Sequence, residues 1–283
     1  MIHLSDDHLE KIRWLLTDCG KQARKLALGA FQVYEKGVED YVTDVDRVLD
    51  QQLSQGLTAL FPEDGVISEE NSSSRQLFMQ SSSRLWLVDP IDGTDDFIRG
   101  LPHYSVMLGL LDSGQPRAGW VYAPMFEQFY FGGDDLGLFQ AEGDRPPTPL
   151  IPTQPPLSPD HCPILIGTKD VRRFGASISQ LIPEAQFNCI GSFGLKVLEV
   201  IQGRAGLYVY GNRRVKLWDT TGPLALAQMA GLVCCDLAGD PLRFTPDAVD
   251  IETLAHQQTI VIGWPHYVEA LRSRLQQAIT GIV

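Results

Sequence analysis

The chain has 283 residues and a net charge of −12, and 44% of its residues are hydrophobic. This length suits one large domain or two domains with a shared interface, and the composition is ample for an apolar core. The acidity disfavours nucleic acid as a partner, and no apolar run reaches the roughly 18 residues that a membrane span requires, so no membrane association is expected.

The cysteines and the N-terminal residues bear on the cellular compartment. Five cysteines at irregular spacing predict neither a disulfide framework nor a zinc site. Residues 1–7 are acidic and lack the basic start and the apolar core of a signal peptide. We therefore expect a cytoplasmic protein.

The first part of the chain predicts two helices separated by a charged segment. Apolar residues recur at helical spacing from Leu9 to Phe31, and a second helical pattern runs from Val45 to Leu60. The segment between them, Tyr34 to Tyr41, fits either a mobile flap or an ordinary connector. Lys36 in this segment has the length to reach a phosphate, but a solvated surface lysine is the simpler interpretation.

Acidic residues stand at the ends of four predicted elements. They are Asp46 near the start of the second helix, Glu69-Glu70 after Gly65–Ser68, the aspartates of Asp89-Pro90-Ile91-Asp92-Gly93-Thr94 after an apolar strand, and Asp219 before the apolar helical segment Leu224–Leu232. Clustered carboxylates repel one another unless a cation neutralises them, and Mg²⁺ prefers such oxygen ligands. By itself the Asp89–Thr94 segment also fits a simple turn with a helix cap.

The remaining chain predicts two lobes. Short apolar runs separated by turn residues predict an antiparallel meander between residues 104 and 139. Seven prolines between Gly143 and Asp160 predict an extended linker, and strand and helix patterns alternate after it. We predict an N-terminal α+β lobe (1–142), a proline-rich linker (143–162) and a C-terminal α/β lobe (163–283), with the site in the cleft between the lobes.

The four acidic segments, in this order and at this spacing, resemble those of the inositol monophosphatase superfamily of Mg²⁺-dependent, lithium-sensitive phosphatases. The likeness extends from about Leu9 to Phe244. It implies an α/β fold of alternating helix and sheet layers, and hydrolysis of a small phosphate monoester by a metal-activated water. It also implies two or three Mg²⁺ ions as cofactor, a small phosphorylated metabolite as partner, and a homodimer as one expected assembly.

The resemblance also implies a role for individual residues. The implied metal ligands are Glu69, Asp89 and the carbonyl of Ile91 for a first ion, Asp89, Asp92 and Asp219 for a second, and Glu70 for a third. Asp46 and Thr94 are implied to orient and deprotonate the attacking water, with Glu69 as a further catalytic residue. The backbone amides of Gly93 and Thr94, at a helix start, are implied to hold the phosphate.

Departures from the family pattern bear on the substrate. Inositol-specific members carry a glutamate seven residues before the aspartate that corresponds to Asp219, and this chain has Asn212 there. The segment Gly191–Lys196 partly resembles the 3′(2′),5′-bisphosphate nucleotidase branch, in which a lysine binds a second phosphate. Ser192, Lys196 and Asn212 are therefore candidate substrate contacts. The leading prediction is a phosphatase of inositol monophosphatase type, and the close alternative is a nucleotidase that removes the 3′-phosphate of adenosine 3′,5′-bisphosphate.

Two further points concern whether the site is complete. Thr220-Thr221-Gly222-Pro223 replaces the small residues that the family pattern has after Asp219. Proline is tolerated in the first turn of a helix, so we expect Asp219 to keep its place. A non-catalytic regulatory protein on the same fold is the alternative from another class, and the presence of every expected carboxylate and of Thr94 disfavours it.

Overall fold

The structure, a computed structural model, describes residues 4–37, 40–80, 84–158 and 161–281. Its helices are α1 (Asp6–Ala27), α2 (Asp44–Leu60), α3 (Leu77–Gln80), α4 (Thr94–Ile98), α5 (Thr168–Leu181), α6 (Phe193–Ile201), α7 (Leu217–Met229) and α8 (Pro265–Thr280). Its strands are β1 (Val33–Gly37), β2 (Asp40–Thr43), β3 (Gly65–Ser68), β4 (Arg84–Asp92), β5 (Ser105–Asp112), β6 (Gln115–Ala123), β7 (Gln128–Gly133), β8 (Gly137–Glu142), β9 (Thr148–Pro149), β10 (Cys162–Ile166), β11 (Ala185–Asn188), β12 (Leu207–Tyr210), β13 (Val233–Cys235) and β14 (Ile260–Gly263).

The two N-terminal helices begin at side-chain caps. Ser5 caps α1 and Thr43 caps α2, each through a reciprocal bond with the third helical residue. The prediction that the first helix reaches Phe31 was wrong, because α1 ends at Ala27. The next residue, Leu28, is 91% exposed, so its burial does not stabilise a longer helix, and Gly29, a poor helix former, follows it.

The charged segment after α1 forms a hairpin rather than a plain connector. Strands β1 and β2 pair antiparallel and lead directly into α2. Val38 and Glu39, which belong to the predicted flap, lie outside the described residues, as do residues 1–3 of the acidic N-terminal segment. The mobility of the segment from Tyr34 to Tyr41 stays a prediction.

Two sheets organise the chain. The seven-stranded sheet has the order β3-β4-β5-β6-β7-β8-β9, with β3 parallel to β4 and every other pair antiparallel, which confirms the predicted meander. The five-stranded sheet has the order β11-β10-β12-β14-β13 and mixes parallel and antiparallel pairs.

Helices cover both sheets and separate them, which confirms the predicted layers. Helices α1 and α2 pack on one face of the seven-stranded sheet, around Trp86, Val88 and Trp120. Helices α6 and α7 lie between the two sheets, and α5 and α8 cover the outer face of the five-stranded sheet. Because both faces of β4 are buried, its residues Leu85–Val88 form a continuous apolar run.

Helix α7 packs unusually close to the seven-stranded sheet. A Cβ at Gly119 would lie 2.0 Å from the carbonyl oxygen of Gly222, and one at Gly109 would lie 2.4 Å from the nitrogen of Gly222. Pro223 is the seventh residue of α7, so the expectation that it lies in the first turn was wrong. It removes the N–H that would bond the carbonyl of Asp219, yet the helix continues to Met229.

Part of the proline-rich segment adds to the seven-stranded sheet, and its role as an extended linker stays a prediction. Its residues Thr148 and Pro149 form β9 on the edge of β8, and Leu150 is buried. The N–H of Thr153 donates to the carbonyl of Ile201 in the C-terminal part of the chain. Pro159 and Asp160 of the predicted linker lie outside the described residues, and the division into lobes stays a prediction.

No described helix combines the length and the apolar character that crossing a bilayer requires.

Candidate active site

An irregularity in β4 brings two aspartates to the same side of the strand. Asp89 lies opposite Met107 and Asp92 lies opposite Ser105, so β4 advances three residues while β5 advances two. In a regular strand, side chains three residues apart point to opposite faces. The extra residue in β4 corrects this, and both carboxylates are buried near the same point.

Asp219 completes a three-carboxylate cluster. One carboxylate oxygen from each of Asp89, Asp92 and Asp219 lies within 4.8 Å of the other two. Asp219 is the third residue of α7, and its Oδ2 accepts a 2.6 Å hydrogen bond from the N–H of Lys216. Burial raises the pKa of Asp219 to about 7, with the charge of Lys216 opposing the shift and those of Glu69 and Asp92 adding to it. Burial and the neighbouring carboxylates raise the pKa of Asp89 well above its usual range. The cluster therefore resists carrying three charges unless a cation compensates them.

Backbone and hydroxyl groups hold Asp92 in place. Its Oδ1 accepts from the N–H of Phe193 at 2.9 Å, and its Oδ2 accepts from the N–H of Gly194 at 2.9 Å. The hydroxyls of Ser192 and Ser105 donate to the same Oδ2. Asp92 is thus fixed by the start of α6, and Ser192 serves both as N-cap of that helix and as a donor to Asp92.

Asp46 and Thr94 meet beside the cluster. Asp46 is the third residue of α2, and its Oδ2 accepts from the N–H and the hydroxyl of Thr43. The hydroxyl of Thr94 is 3.3 Å from Asp46 Oδ1 and 3.0 Å from the carbonyl oxygen of Ile91. Burial raises the pKa of Asp46 to about 6. The two residues that the resemblance pairs are therefore within hydrogen-bond distance.

Gly93 allows the chain to turn tightly before Thr94. Its φ is +94°, in the left-handed region that favours glycine. A Cβ at this position would lie 2.9 Å from the carbonyl oxygen of His103 and 3.0 Å from the nitrogen of Ser192. No other residue would fit without moving the loop that precedes α6.

Lys36 reaches the acidic cluster from the hairpin. Its Nζ donates to Glu69 Oε1 at 2.8 Å and to Glu70 Oε1 at 2.7 Å, and the side chain is only 28% exposed. Burial lowers the pKa of Lys36, but the two carboxylates raise it more. Burial and the charge of Glu69 raise the pKa of Glu70 to about 7. The ammonium of Lys36 is therefore paired with two carboxylates rather than free in solvent, and its contact with a phosphate stays a prediction.

Asp50 is a site residue that the sequence analysis missed. It is buried on α2, one turn after Asp46. Its Oδ2 accepts from the hydroxyl of Ser68 at 3.0 Å, and its Oδ1 accepts from the N–H of Glu70 at 3.3 Å. Asp50 therefore anchors the turn that presents Glu69 and Glu70. Its position four residues after Asp46, on the same helix face, was the available signal.

Two other candidate substrate contacts, Lys196 and Asn212, lie in the C-terminal part of the chain. The ammonium of Lys196 is buried and donates to the carbonyl oxygens of Gly191 at 2.6 Å and Ser192 at 3.2 Å. Burial lowers the pKa of Lys196, and the nearby carboxylates of Asp92 and Asp96 oppose that shift. Asn212 is half-buried in the turn after β12. Their contacts with a substrate stay predictions.

A cavity of about 740 Å³ lies behind the loop that precedes α6. Its lining includes Tyr130, Leu150, Ile190 and Leu198. None of the clustered carboxylates is among the described residues that line it. The chemistry therefore identifies the site, rather than the size of the cavity.

Comparisons with known proteins agree with this geometry. The profile of the inositol monophosphatase family matches residues 12–276. The 3′(2′),5′-bisphosphate nucleotidase CysQ of Escherichia coli O157:H7 is 31% identical over 241 residues, which cover 84% of this chain and 94% of that protein. The structure of the Thermotoga maritima IMPase superposes with a TM-score of 0.78 at 21% identity, covering 98% of this chain and 100% of that one.

A further solved structure, described as an IMPase/NADP phosphatase complexed with Mg²⁺ and phosphate, has a TM-score of 0.76 at 21% identity and covers 95% of each chain. These two structural likenesses concern the fold, which they confirm as layered α/β. The family profile and the nucleotidase relative decide the family and the reaction class. This chain belongs to the inositol monophosphatase family and is a metal-dependent phosphatase that hydrolyses phosphate monoesters.

Proposed function

We propose that this chain uses Mg²⁺ to hydrolyse a small phosphorylated metabolite through an activated water molecule. The observation that carries the proposal is the convergence of Asp89, Asp92 and Asp219 within 4.8 Å. Asp89 Oδ1 is buried without a hydrogen-bond partner among the described residues, which is costly unless a ligand satisfies it. Carboxylate and carbonyl oxygens form the donor set that Mg²⁺ prefers, so these residues fit the ion.

We propose the metal ligands that the family resemblance implies. They are Glu69, Asp89 and the carbonyl of Ile91 for one ion, Asp89, Asp92 and Asp219 for a second, and Glu70 for a third. When bound, Mg²⁺ offsets the charge of the phosphate, lowers the pKa of a coordinated water and stabilises the leaving oxygen. The neighbour described with Mg²⁺ and phosphate supports this assignment.

Asp46, Thr94 and Glu69 would prepare the attacking water. A water bonded to the hydroxyl oxygen of Thr94 can lose its proton towards Asp46 Oδ1, because the two side-chain oxygens are 3.3 Å apart. A carboxyl with a pKa of about 6 is mostly ionised at neutral pH and is a stronger base than an ordinary aspartate. We propose that Glu69 helps to orient the same water.

The start of α4 would hold the phosphate. The N–H of Phe97 bonds the carbonyl of Gly93, so the amides that precede Phe97 in this turn have no partner within the helix. We propose that the amides of Gly93 and Thr94 donate to the phosphate oxygens. We propose that Ser192, Lys196 and Asn212 bear on the rest of the substrate, with Lys196 acting through the carbonyls of Gly191 and Ser192 that it bonds.

A 3′(2′),5′-bisphosphate nucleotide is the substrate class we favour, with loss of one phosphate. The nucleotidase relative at 31% identity supports it, as does the neutral amide of Asn212 where inositol-specific members carry a glutamate. Inositol monophosphate is the second candidate, favoured by the structural likeness to the Thermotoga maritima IMPase. A non-catalytic regulator is disfavoured, because every expected carboxylate is present and three of them converge.

The deciding experiment measures phosphate release from adenosine 3′,5′-bisphosphate and from inositol 1-phosphate, with Mg²⁺ and with or without Li⁺. We expect Mg²⁺-dependent release, a higher kcat/KM for the bisphosphate, and inhibition by Li⁺. A preference for inositol 1-phosphate would reverse the order of the two candidates. Release from neither substrate would contradict both assignments and would direct the search to other sugar phosphates.

A further inference from the structure

Arg75 connects two distant chain segments that carry metal ligands. It lies in a short 3-10 helix, Ser72–Gln76, that follows Glu69 and Glu70 directly. Its Nη2 donates to the backbone carbonyl of Glu69 at 3.3 Å. The guanidinium carbon of the same side chain lies 5.2 Å from the ring centroid of Trp218, the residue before Asp219. One side chain therefore contacts the Glu69 turn and the first turn of α7.

A third contact extends this connection. Arg75 Nη1 donates to the carbonyl of Glu252 at 3.2 Å. The loop that contains Glu252 is itself bonded to the start of α7, because the N–H of Leu217 donates to the carbonyl of Leu254 at 3.1 Å. Arg75 thus reaches α7 both directly, through the ring of Trp218, and indirectly, through this loop.

The contacts of Arg75 are directional and partly shielded from water. Trp218 is only 2% exposed, so its ring has one fixed orientation against which the guanidinium can lie. A planar guanidinium can stack on a ring and donate from its edge at the same time, which a lysine ammonium cannot reproduce.

We propose that Arg75 is a positioning residue that fixes the segments of Glu69 and Asp219 relative to each other, and so sets the affinity of the cluster for Mg²⁺. Glu69 belongs to the segment before β4, and Asp219 belongs to a helix almost 150 residues further along the chain. Their carboxylates must stay in register to share ions with Asp89. The inference rests on the proposed function, since it concerns the metal ions of that site.

The test measures Mg²⁺ binding to the substrate-free protein by titration calorimetry, for the wild type, Arg75→Met and Arg75→Lys. We expect Arg75→Met to raise the Mg²⁺ Kd about tenfold, as expected for the loss of about 1.4 kcal/mol, with a smaller rise for Arg75→Lys. The control is Arg117→Met, which removes an exposed ion pair with Asp134 on another hairpin and should leave the Kd unchanged.

Activity assays separate positioning from a general loss of structure. A positioning role predicts a higher Mg²⁺ requirement in Arg75→Met, with kcat largely restored at saturating Mg²⁺. A lower kcat with an unchanged Mg²⁺ requirement would overturn the inference, as would an unchanged Kd. If Arg75→Met does not fold, the Kd of Arg75→Lys decides in the same way. A wild type that binds no Mg²⁺ and releases no phosphate would overturn the proposed function as well, which distinguishes the two failures.

Discussion

The acidic residues of the site fall into two halves, one at Asp92 and one at Glu69 and Glu70, and the two halves are held by different means. Asp92 is fixed by two backbone amides and the Ser192 hydroxyl at the start of α6, and by the hydroxyl of Ser105 on β5. Glu69 and Glu70 are instead held by the flexible ammonium of Lys36, and the Glu70 amide bonds to the buried carboxylate of Asp50. One half is organised before any cation arrives, whereas the other depends on charges that a cation would compete with. The pre-organised half should therefore contribute most to catalysis.

Breaking the pre-organised half should have the largest effect. Asp92→Asn removes a charged ligand but keeps the size of the side chain, so we expect the fold to survive and Mg²⁺-dependent phosphate release to fall by about 10³-fold. The assay should be paired with circular dichroism and with Asp134→Asn, which changes an exposed carboxylate outside the cluster. Full activity in folded Asp92→Asn would refute its assignment as a metal ligand.

The same substitution in the other half should cost less. Glu70 is assigned to a supporting ion, so we expect Glu70→Gln to lower activity by about tenfold and mainly to raise the Mg²⁺ concentration needed for half-maximal rate. Titrating Mg²⁺ in both variants compares the halves directly. A loss in Glu70→Gln as large as that in Asp92→Asn would show that the two halves contribute equally.

Sequence alone placed the acidic residues of both halves but not what holds them. The resemblance found Asp89, Asp92 and Asp219, because the segments around them have distinctive residue types. The irregularity of β4 that aligns two of them depends on its pairing with β5. The position of Asp92 depends on α6, whose residue Phe193 lies 101 residues further along the chain. Such contacts leave no local pattern in a single sequence.

The element boundaries show the same limit. Helix α7 begins at Leu217, well before the apolar segment predicted from Leu224. The sequence did not indicate this start, because the N-cap residue, Lys216, lacks a typical capping side chain. Lys36 was read from its charged neighbours as a surface residue, and only the hairpin fold brings it to Glu69 and Glu70. The meander was predicted correctly because its strands are short apolar runs separated by turn residues.

Removing the metal should reveal the repulsion within the cluster as a dependence of stability on pH. Burial raises the pKa values of Asp219 and Glu70 to about 7 and also raises that of Asp89. Carboxyls with raised pKa values in the folded state contribute stability below the pKa of the unfolded chain, near 4, and that stability is lost as pH rises to about 7. In EDTA, we expect Tm to fall between pH 5 and pH 8.

Added Mg²⁺ should reverse that loss, since it binds the folded, ionised cluster. Thermal scans at pH 5 and pH 8, in EDTA and in Mg²⁺, should show a rise in Tm of several degrees at pH 8 and a smaller one at pH 5. An equal Mg²⁺ effect at both pH values would mean that the carboxyls of the cluster are not the groups that bind it. Asp92→Asn, with one charge fewer, should show a smaller Mg²⁺ effect.

The smallest effect is expected for Lys196, which stabilises the loop that holds Asp92. Its ammonium bonds the carbonyls of Gly191 and Ser192, in the turn that places the amides of α6 on Asp92. We therefore expect Lys196→Ala to lower turnover of adenosine 3′,5′-bisphosphate and of inositol 1-phosphate by the same modest factor, less than about tenfold. Lys196→Met, which keeps the buried stem, separates lost packing from lost hydrogen bonds. A selective loss for the bisphosphate would instead show that the ammonium leaves these carbonyls to bind a second phosphate, and it would make this part of the site adaptable rather than fixed.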